Sequence, residues 1–134
     1  MKKIKYKDLN ARQQEIYNFQ KVSAIFADFG YTTVKLSDDW MGADFIAINF
    51  DGTEHLKVQL KGRMTFEQKY LGKELYICFC DRSTNKWYLY PHDETLENFL
   101  GQIGETDSWK VKGGYNYRVL SKFAKEILEP YFLG

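Results

Sequence analysis

Apolar residues recur at helical spacing in the first part of the chain. The stripe consists of Phe19, Val22 and Phe26, with Ile16 and Ile25 beside it. Asn10 can cap such a helix, and Gln13 three residues later can close a capping box with it. Gly30 is suited to the C-terminal end. The pattern therefore predicts a helix between Asn10 and Gly30 that packs one face against a core.

Alternating apolar and polar residues, rich in β-branched and aromatic side chains, predict a series of strands after this helix. The predicted strands cover residues 31–36, 74–80 and 86–91, together with a hairpin over 43–62 and two short extended pieces within 109–119. The remaining predictions are a polar loop at 37–42, helices at 94–103 and 120–128, and either a short helix or an irregular stretch at 64–72. This order predicts an α/β fold in which helices flank a mixed β-sheet.

The hairpin carries the most informative polar residues of the chain. Asp51 and Gly52 separate two alternating arms, and both residues tolerate the positive φ of a two-residue hairpin loop. Counting outward from this loop sets Asp44 opposite Gln59, with Lys61 one diagonal step away on the same face. The opposite face is apolar and predicts a core contact; it consists of Phe45, Ala47, Leu56, Val58 and Leu60. A carboxylate, an amide oxygen and an ammonium group are thus expected to meet at one end of the hairpin.

These groups have the chemistry of a metal site. Hard cations such as Mg²⁺ prefer oxygen ligands, often carboxylates together with water and substrate phosphate. Asp44 offers a carboxylate and Gln59 a neutral side-chain oxygen, and the carbonyl of Leu60 would lie between them. Glu15 can approach from the helix, so Asp44, Gln59 and Glu15 form the predicted metal-ligand set. Lys61 can orient an attacking water or neutralise a phosphodiester, and it completes the predicted catalytic set.

Each of these residues also has a plainer interpretation. Glu15 is near the amino end of the helix, where a carboxylate complements the helix dipole without any further role. Gln59 can be an ordinary exposed polar residue of a strand, and Lys61 a strand-end lysine whose ammonium reaches solvent. The agreement of the hairpin register, the apolar opposite face and the upstream helix favours the site.

Length and composition fit one domain covering residues 1–134, and the formal net charge is +1. The distribution of charge along the chain is more informative than the net charge, because a locally basic face on a near-neutral protein suffices for phosphate contacts. The candidate nucleic-acid-binding residues are Arg63, Lys69, Lys73, Lys110, Lys112 and Arg118. Aromatic residues interleave with the last three, a mixture typical of base stacking and equally of a twisted hairpin with one packed aromatic face. A solvated charged surface explains the basic residues as well.

Two cysteines, Cys78 and Cys80, lie two positions apart in a predicted strand. That spacing is too close for easy disulfide geometry and does not match a zinc knuckle. The sequence shows no secretory signal and no run of transmembrane length. We therefore expect reduced, buried thiols in a cytoplasmic protein that does not bind a membrane.

Asp44, the tripeptide Gln59-Leu-Lys61 and the helical Glu15 resemble the signature of the PD-(D/E)XK nuclease superfamily. The pattern is similar to the QxK variant seen in Mrr-type restriction endonucleases and in relatives of archaeal Holliday-junction resolvases. The resemblance covers the helix, strand and hairpin of residues 9–63.

Two positions depart from the commoner form of this signature. Ala43 stands where the family has the proline that gives it its name, a common and chemically unimportant change. Gln59 replaces an acidic residue, which removes one negative charge and should weaken metal affinity.

The resemblance implies a restriction-endonuclease-like fold and an endonuclease that depends on Mg²⁺ (or Mn²⁺) and hydrolyses phosphodiester bonds in DNA. It implies metal ligation by Asp44 and Gln59, catalysis by Lys61 and an accessory acidic role for Glu15. The alternative is a non-catalytic nucleic-acid- or protein-binding domain that keeps the nuclease-like fold. A small free-standing domain also leaves room for a homodimer, in which two single-strand cuts would become a double-strand break.

Overall fold

The chain forms five helices and seven strands, and its computed structural model describes residues 1–134. The helices are α1 (Ala11–Asp28), α2 (His92–Glu97), α3 (Leu100–Ile103), α4 (Asp107–Lys110) and α5 (Lys122–Leu128). The strands are β1 (Tyr31–Trp40), β2 (Ala43–Asn49), β3 (His55–Leu60), β4 (Met64–Glu67), β5 (Leu75–Asp81), β6 (Lys86–Pro91) and β7 (Gly114–Tyr117). None of the helices combines the length and the hydropathy that crossing a membrane requires.

Five of the strands form one mixed sheet in the order β1–β2–β3–β5–β6. Neighbouring strands are antiparallel except β3 and β5, which run parallel with Lys57 beside Leu75 and Leu60 beside Cys78. Parallel neighbours require a crossover connection. Here the crossover contains β4, which pairs with β7 in a second, two-stranded sheet. The predicted α/β fold, with helices flanking a mixed β-sheet, is confirmed.

Each face of the five-stranded sheet carries its own apolar core. Helix α1 packs on one face through the buried Val22 and Phe26. The sheet residues of this core are Phe45, Ala47, Leu56, Val58, Cys78, Cys80 and Trp87. The second core joins β4 and the later helices to the sheet through Met64, Phe66, Tyr70, Ile77, Phe79, Tyr90, Leu96, Phe99, Ile103, Trp109 and Leu128. The predicted core face of the hairpin and the predicted buried, unpaired thiols are therefore confirmed.

The hairpin of β2 and β3 has the predicted register. Phe45 pairs with Val58, and the same pairing continued by one residue sets Asp44 opposite Gln59. Because side chains alternate between faces, Asp44 and Gln59 point away from α1 and towards the second core. Asp44 and Gln59 therefore lie where the register predicted from sequence sets them.

The loop of this hairpin differs from the predicted two-residue turn. Four residues separate Asn49 from Glu54, whose carbonyl accepts the Asn49 N–H at 3.1 Å. Gly52 has a φ of 73°, but Asp51 does not adopt a positive φ. Its carboxylate instead accepts hydrogen bonds from the N–H of Thr53 at 3.0 Å and from its hydroxyl at 2.6 Å. Side-chain hydrogen bonds thus stabilise the turn. The loop is longer than the predicted loop by one residue on each arm, so the register of β2 against β3 is unchanged.

A tight turn with positive φ lies between β1 and β2 instead. Strand β1 continues to Trp40, which pairs with Ala43, so the predicted polar loop at 37–42 is wrong. Met41 and Gly42 have φ of 51° and 86°, the left-handed values of a two-residue hairpin turn. The polar side chains at the end of β1 are exposed, which is why composition alone indicated a loop.

The second half of the chain departs from prediction at three places. Residues 64–72 form strand β4 and a 3₁₀ turn, because β4 pairs with the distant β7. The helix predicted at 94–103 begins earlier and is divided into α2 and α3. The first extended piece predicted within 109–119 is wrong, since Thr106 caps α4 by accepting the Trp109 N–H at 3.2 Å. Helices α1 and α5 and strands β5 and β6 match prediction to within about two residues.

Candidate active site

Asp44 and Gln59 lie at the end of the β2–β3 hairpin opposite its loop, which we call the open end. One oxygen of the Asp44 carboxylate, Oδ2, accepts a hydrogen bond from the backbone N–H of Leu60 at 2.9 Å. This bond crosses from β2 to β3 and fixes the orientation of the carboxylate beside Gln59.

Gln59 is buried, with 9% of its surface exposed, and its side-chain oxygen Oε1 has no hydrogen-bond partner. Its interpretation as an ordinary exposed strand residue is therefore wrong. Leaving a buried amide oxygen unpaired costs about 1–3 kcal/mol in typical proteins. Such a group commonly marks a place where a ligand, ion or water belongs.

The surroundings of Asp44 disfavour its negative charge in the absence of a ligand. Burial raises the pKa of the carboxyl group, and the nearby carboxylate of Asp39 adds to the rise. The hydrogen bond from Leu60 and the charge of Lys35 act in the opposite direction. A bound cation would offset the first two effects, because it stabilises the ionised form.

Lys61 does not simply extend into solvent from the end of its strand. Its Nζ lies 3.1 Å from Oε2 of Glu67, and the two side chains are only 26% and 24% exposed. The same ammonium lies 5.5 Å from the ring centroid of Tyr70. Glu67 was not predicted as a site residue, because β4 brings it to Lys61 through a pairing with β7 that no local pattern reveals.

Glu15 shares a cavity with the open end. The cavity has a volume of about 350 Å³, and its lining includes Glu15, Asp44, Gln59, Leu60 and Lys61. Glu15 itself is exposed on the first turns of α1, whose capping box between Asn10 and Gln13 forms as predicted. No three His, Cys, Asp or Glu side chains lie close enough to hold a metal ion by themselves.

A second cavity places Lys35 and Asp39 beside the same residues. It is lined by Arg12, Glu15, Lys35, Leu36, Ser37, Asp38, Asp39 and Asp44. Lys35 reaches this position because β1 is the edge strand next to β2, where Lys35 pairs with Phe45. It was missed from sequence, since the register of β1 against β2 was not predicted.

The predicted nucleic-acid-binding residues fall into separate places. Arg63 and Arg118 flank the ends of the β4–β7 pair and line one cavity of about 250 Å³, together with Lys125 of α5. Lys69 and Lys110 make ion pairs with Glu67 and Glu105, while Lys73 and Lys112 make none. The basic residues therefore form no single continuous stripe.

The aromatic residues near β7 serve packing more than an open surface. Trp109 is buried in the second core, so its ring is not free to stack on a base. Tyr115 and Tyr117 are half-buried and meet edge to face, with 5.1 Å between their ring centroids. The packed interpretation of this segment is confirmed for these three residues.

Comparison with known proteins supports the fold and goes no further. No protein-family model and no curated protein matches the chain. Among solved structures it is similar to the bacterial homing endonuclease I-Ssp6803I, with a TM-score of 0.51 and 14% sequence identity. The likeness covers 84% of this chain and 78% of that one. The protein therefore has an endonuclease-like α/β fold, and its open end carries a half-buried carboxylate beside an unpaired amide oxygen.

Proposed function

We propose that the protein is an endonuclease that hydrolyses DNA phosphodiester bonds at the open end and depends on Mg²⁺ or Mn²⁺. The observation that carries this proposal is the unpaired Oε1 of Gln59 beside the half-buried carboxylate of Asp44. Both groups cost free energy until a cation or a hydrogen-bond donor engages them. An endonuclease-like fold at 84% coverage of the chain is consistent with the same conclusion.

The donor set fits a hard divalent cation. Asp44 supplies a carboxylate, Gln59 a neutral oxygen and Leu60 a backbone carbonyl, and Glu15 lines the same cavity. All are oxygen donors, the type that Mg²⁺ and Mn²⁺ prefer. When bound, the ion would lower the pKa of a water molecule and offset charge that develops on the phosphate.

The other roles in the proposed reaction belong to groups of the protein itself. The N–H of Leu60 holds one oxygen of Asp44, so the carboxylate is oriented before any ligand binds. The ammonium of Lys61 would face the charge that develops on the phosphate oxygens, where a preorganised cation is most effective. Glu15, on the exposed side of the cavity, would take an accessory acidic role.

Phosphates on either side of the reacting one would contact basic residues next to the open end. Gly62 lines both the cavity of the open end and the cavity of Arg63, Arg118 and Lys125. A nucleic-acid backbone lying across Gly62 would therefore meet both in succession. Since these contacts are ionic, affinity for DNA should fall steeply as salt rises.

The proposal is tested by a plasmid-nicking assay with Mg²⁺, Mn²⁺ and EDTA. Lys61→Ala should reduce metal-dependent cleavage by at least about 100-fold while leaving the folded state intact, as judged by circular dichroism. Lys86→Ala removes an exposed lysine from β6 and is the matched control. Cleavage at the wild-type rate by Lys61→Ala would identify a contaminating nuclease and refute the catalytic assignment.

The second candidate is a non-catalytic nucleic-acid- or protein-binding domain that keeps the same fold. The neutral Gln59 and the absence of a cluster of three acidic, His or Cys ligands favour it. It predicts DNA binding without cleavage and no calorimetric signal for Mn²⁺. Mn²⁺ binding to the wild type that is lost in Asp44→Ala would exclude this candidate.

A further inference from the structure

We propose that Glu67 is a positioning residue for Lys61, which it holds at the edge of the open end through their ion pair. This role rests on the proposed nuclease function and adds a residue to it. Glu67 would not touch the substrate. It would act through the ammonium of Lys61, whose carbon stem is flexible and otherwise adopts many rotamers.

The ammonium of Lys61 is confined from two sides. The carboxylate of Glu67 lies 3.1 Å from Nζ, and the ring of Tyr70 lies beneath it at 5.5 Å from centroid to Nζ. Tyr70 is 3% exposed and belongs to the second core, so it cannot move aside. Both partners are partly shielded from water, which makes this pair stronger than an exposed surface ion pair.

Glu67 is itself held by a chain of hydrogen bonds. Its backbone N–H donates to Nε2 of His92 at 3.0 Å, and Nδ1 of that ring lies 2.8 Å from the carboxylate of Asp93. This fixes the tautomer, because Nε2 accepts and Nδ1 must carry the proton that faces Asp93. Asp93 in turn accepts the N–H of Gly72 at 2.9 Å. The imidazole is completely buried.

The other side of Glu67 is fixed by strand pairing. Glu67 pairs with Gly114 of β7, and a Cβ at that glycine would lie 3.2 Å from Cγ of Glu67. The absence of a side chain at Gly114 therefore leaves room for the stem of Glu67. Lys69 also approaches the carboxylate, at 3.6 Å, but it is 66% exposed and can leave without disturbing Lys61.

Two measured effects, on DNA affinity and on the rate of the chemical step, distinguish a positioning role for Glu67 from that of a simple surface charge. Removing a negative charge near bound DNA should strengthen DNA binding, whatever the role of that charge. Removing the group that positions Lys61 should slow the chemical step instead. Glu67→Gln should therefore lower the single-turnover rate by roughly 10- to 100-fold, with DNA affinity unchanged or tighter.

The experiment measures single-turnover cleavage and DNA affinity for the wild type, Glu67→Gln, Lys61→Ala and the double variant. Glu97→Gln removes an exposed carboxylate of α2 and serves as the matched control. If Glu67 acts through Lys61, the double variant is no slower than Lys61→Ala alone. Thermal unfolding of the same four proteins gives a coupling between the two residues that does not depend on activity.

The outcomes distinguish this role from the function on which it rests. A wild-type protein that does not cleave DNA overturns the proposed function and this role together. Wild-type cleavage with Glu67→Gln at full rate, or faster, overturns the positioning role alone. So does a double variant whose losses are additive, or a thermal coupling of zero.

Discussion

Each end of the β2–β3 hairpin carries an aspartate and a side-chain amide, and the two ends differ in how these groups are hydrogen-bonded. At the loop, Oδ1 of Asp51 accepts two bonds from Thr53, while the Asn49 amide accepts the Glu54 N–H at 2.9 Å and donates to the Thr53 hydroxyl at 3.0 Å. At the open end, the Asp44 carboxylate has one such bond, and Gln59 Oε1 has none.

The pKa values of the two aspartates follow this difference. Hydrogen bonds from the hydroxyl and N–H of Thr53 lower the pKa of Asp51, whereas burial raises that of Asp44. Polar groups at the loop are thus used to build the hairpin, and those at the open end are left available. Residues of one type on one hairpin can therefore be separated by their partners into structural residues and candidates for a functional site.

The largest expected effect is on cleavage. Asp44→Asn should abolish metal-dependent cleavage, with a loss of at least about 100-fold, because the amide cannot supply a negatively charged ligand. Asp51→Asn makes the same chemical change at the other end of the hairpin and should leave the rate unchanged. Equal losses in a nicking assay would show that the two ends do not differ in function.

Metal affinity should respond next. Gln59→Glu restores the commoner acidic ligand and should tighten Mn²⁺ binding by about tenfold, equivalent to ~1.4 kcal/mol. Without metal, the same variant should be less stable than the wild type, since two carboxylates then face each other. Isothermal calorimetry and thermal unfolding with EDTA measure the two effects. Unchanged Mn²⁺ affinity would remove Gln59 from the ligand set.

Stability should change in opposite directions when the two amides are removed. Gln59→Met replaces an unpaired buried amide with an apolar chain of similar length and should raise the free energy of unfolding by about 1 kcal/mol. Asn49→Ala removes an amide that is hydrogen-bonded and should lower it by a similar amount. Urea unfolding measures both changes. A destabilised Gln59→Met would mean that the amide is satisfied in solution.

The smallest effect concerns proton binding. Carboxyl-carbon NMR titration should give Asp44 a pKa above, and Asp51 a pKa below, the ordinary value of about 3.9. The stabilising contribution of Asp44 is present below that value and is lost as pH rises through its raised pKa. The contribution of Asp51 is present above it and is lost as pH falls through its lowered pKa.

Repeating the NMR titration with Mn²⁺ tests whether Asp44 is a metal ligand. The ion competes with the proton at a ligand, so it should lower the apparent pKa of Asp44 and leave that of Asp51 unchanged. A shift of equal size at both residues would indicate general screening of charge.

The parts of the candidate site that depend on neighbouring residues could be predicted from the local sequence. The capping box, the register of β2 and β3, and the meeting of Asp44 with Gln59 all depend on patterns within a few positions or on counting across one loop. Even a wrong loop type left the register intact, because the longer loop added one residue to each side. The fold class followed from the order of such elements.

The missed parts depend on contacts between distant segments. Glu67 reaches Lys61 only because β4 pairs with β7, which lies about fifty residues further along the chain. Lys35 reaches Asp44 because β1 pairs with β2 in a register that sets Lys35 beside Phe45, and no local pattern specifies that register. The burial of Gln59 was missed for a similar reason, since it pairs with Ile77 of β5, which belongs to a core that extends to residues as distant in sequence as Leu128.

The parallel pairing of β3 with β5 has a consequence for how such a protein can diversify. The chain that leaves β3 after Lys61 must travel back along the sheet before β5 begins, so residues 62–74 form an obligatory bridge over one face. That bridge also borders Lys61 at the open end, through Glu67 and Tyr70. Insertions or substitutions within it can alter the surroundings of Lys61, while every strand of the five-stranded sheet keeps its partners.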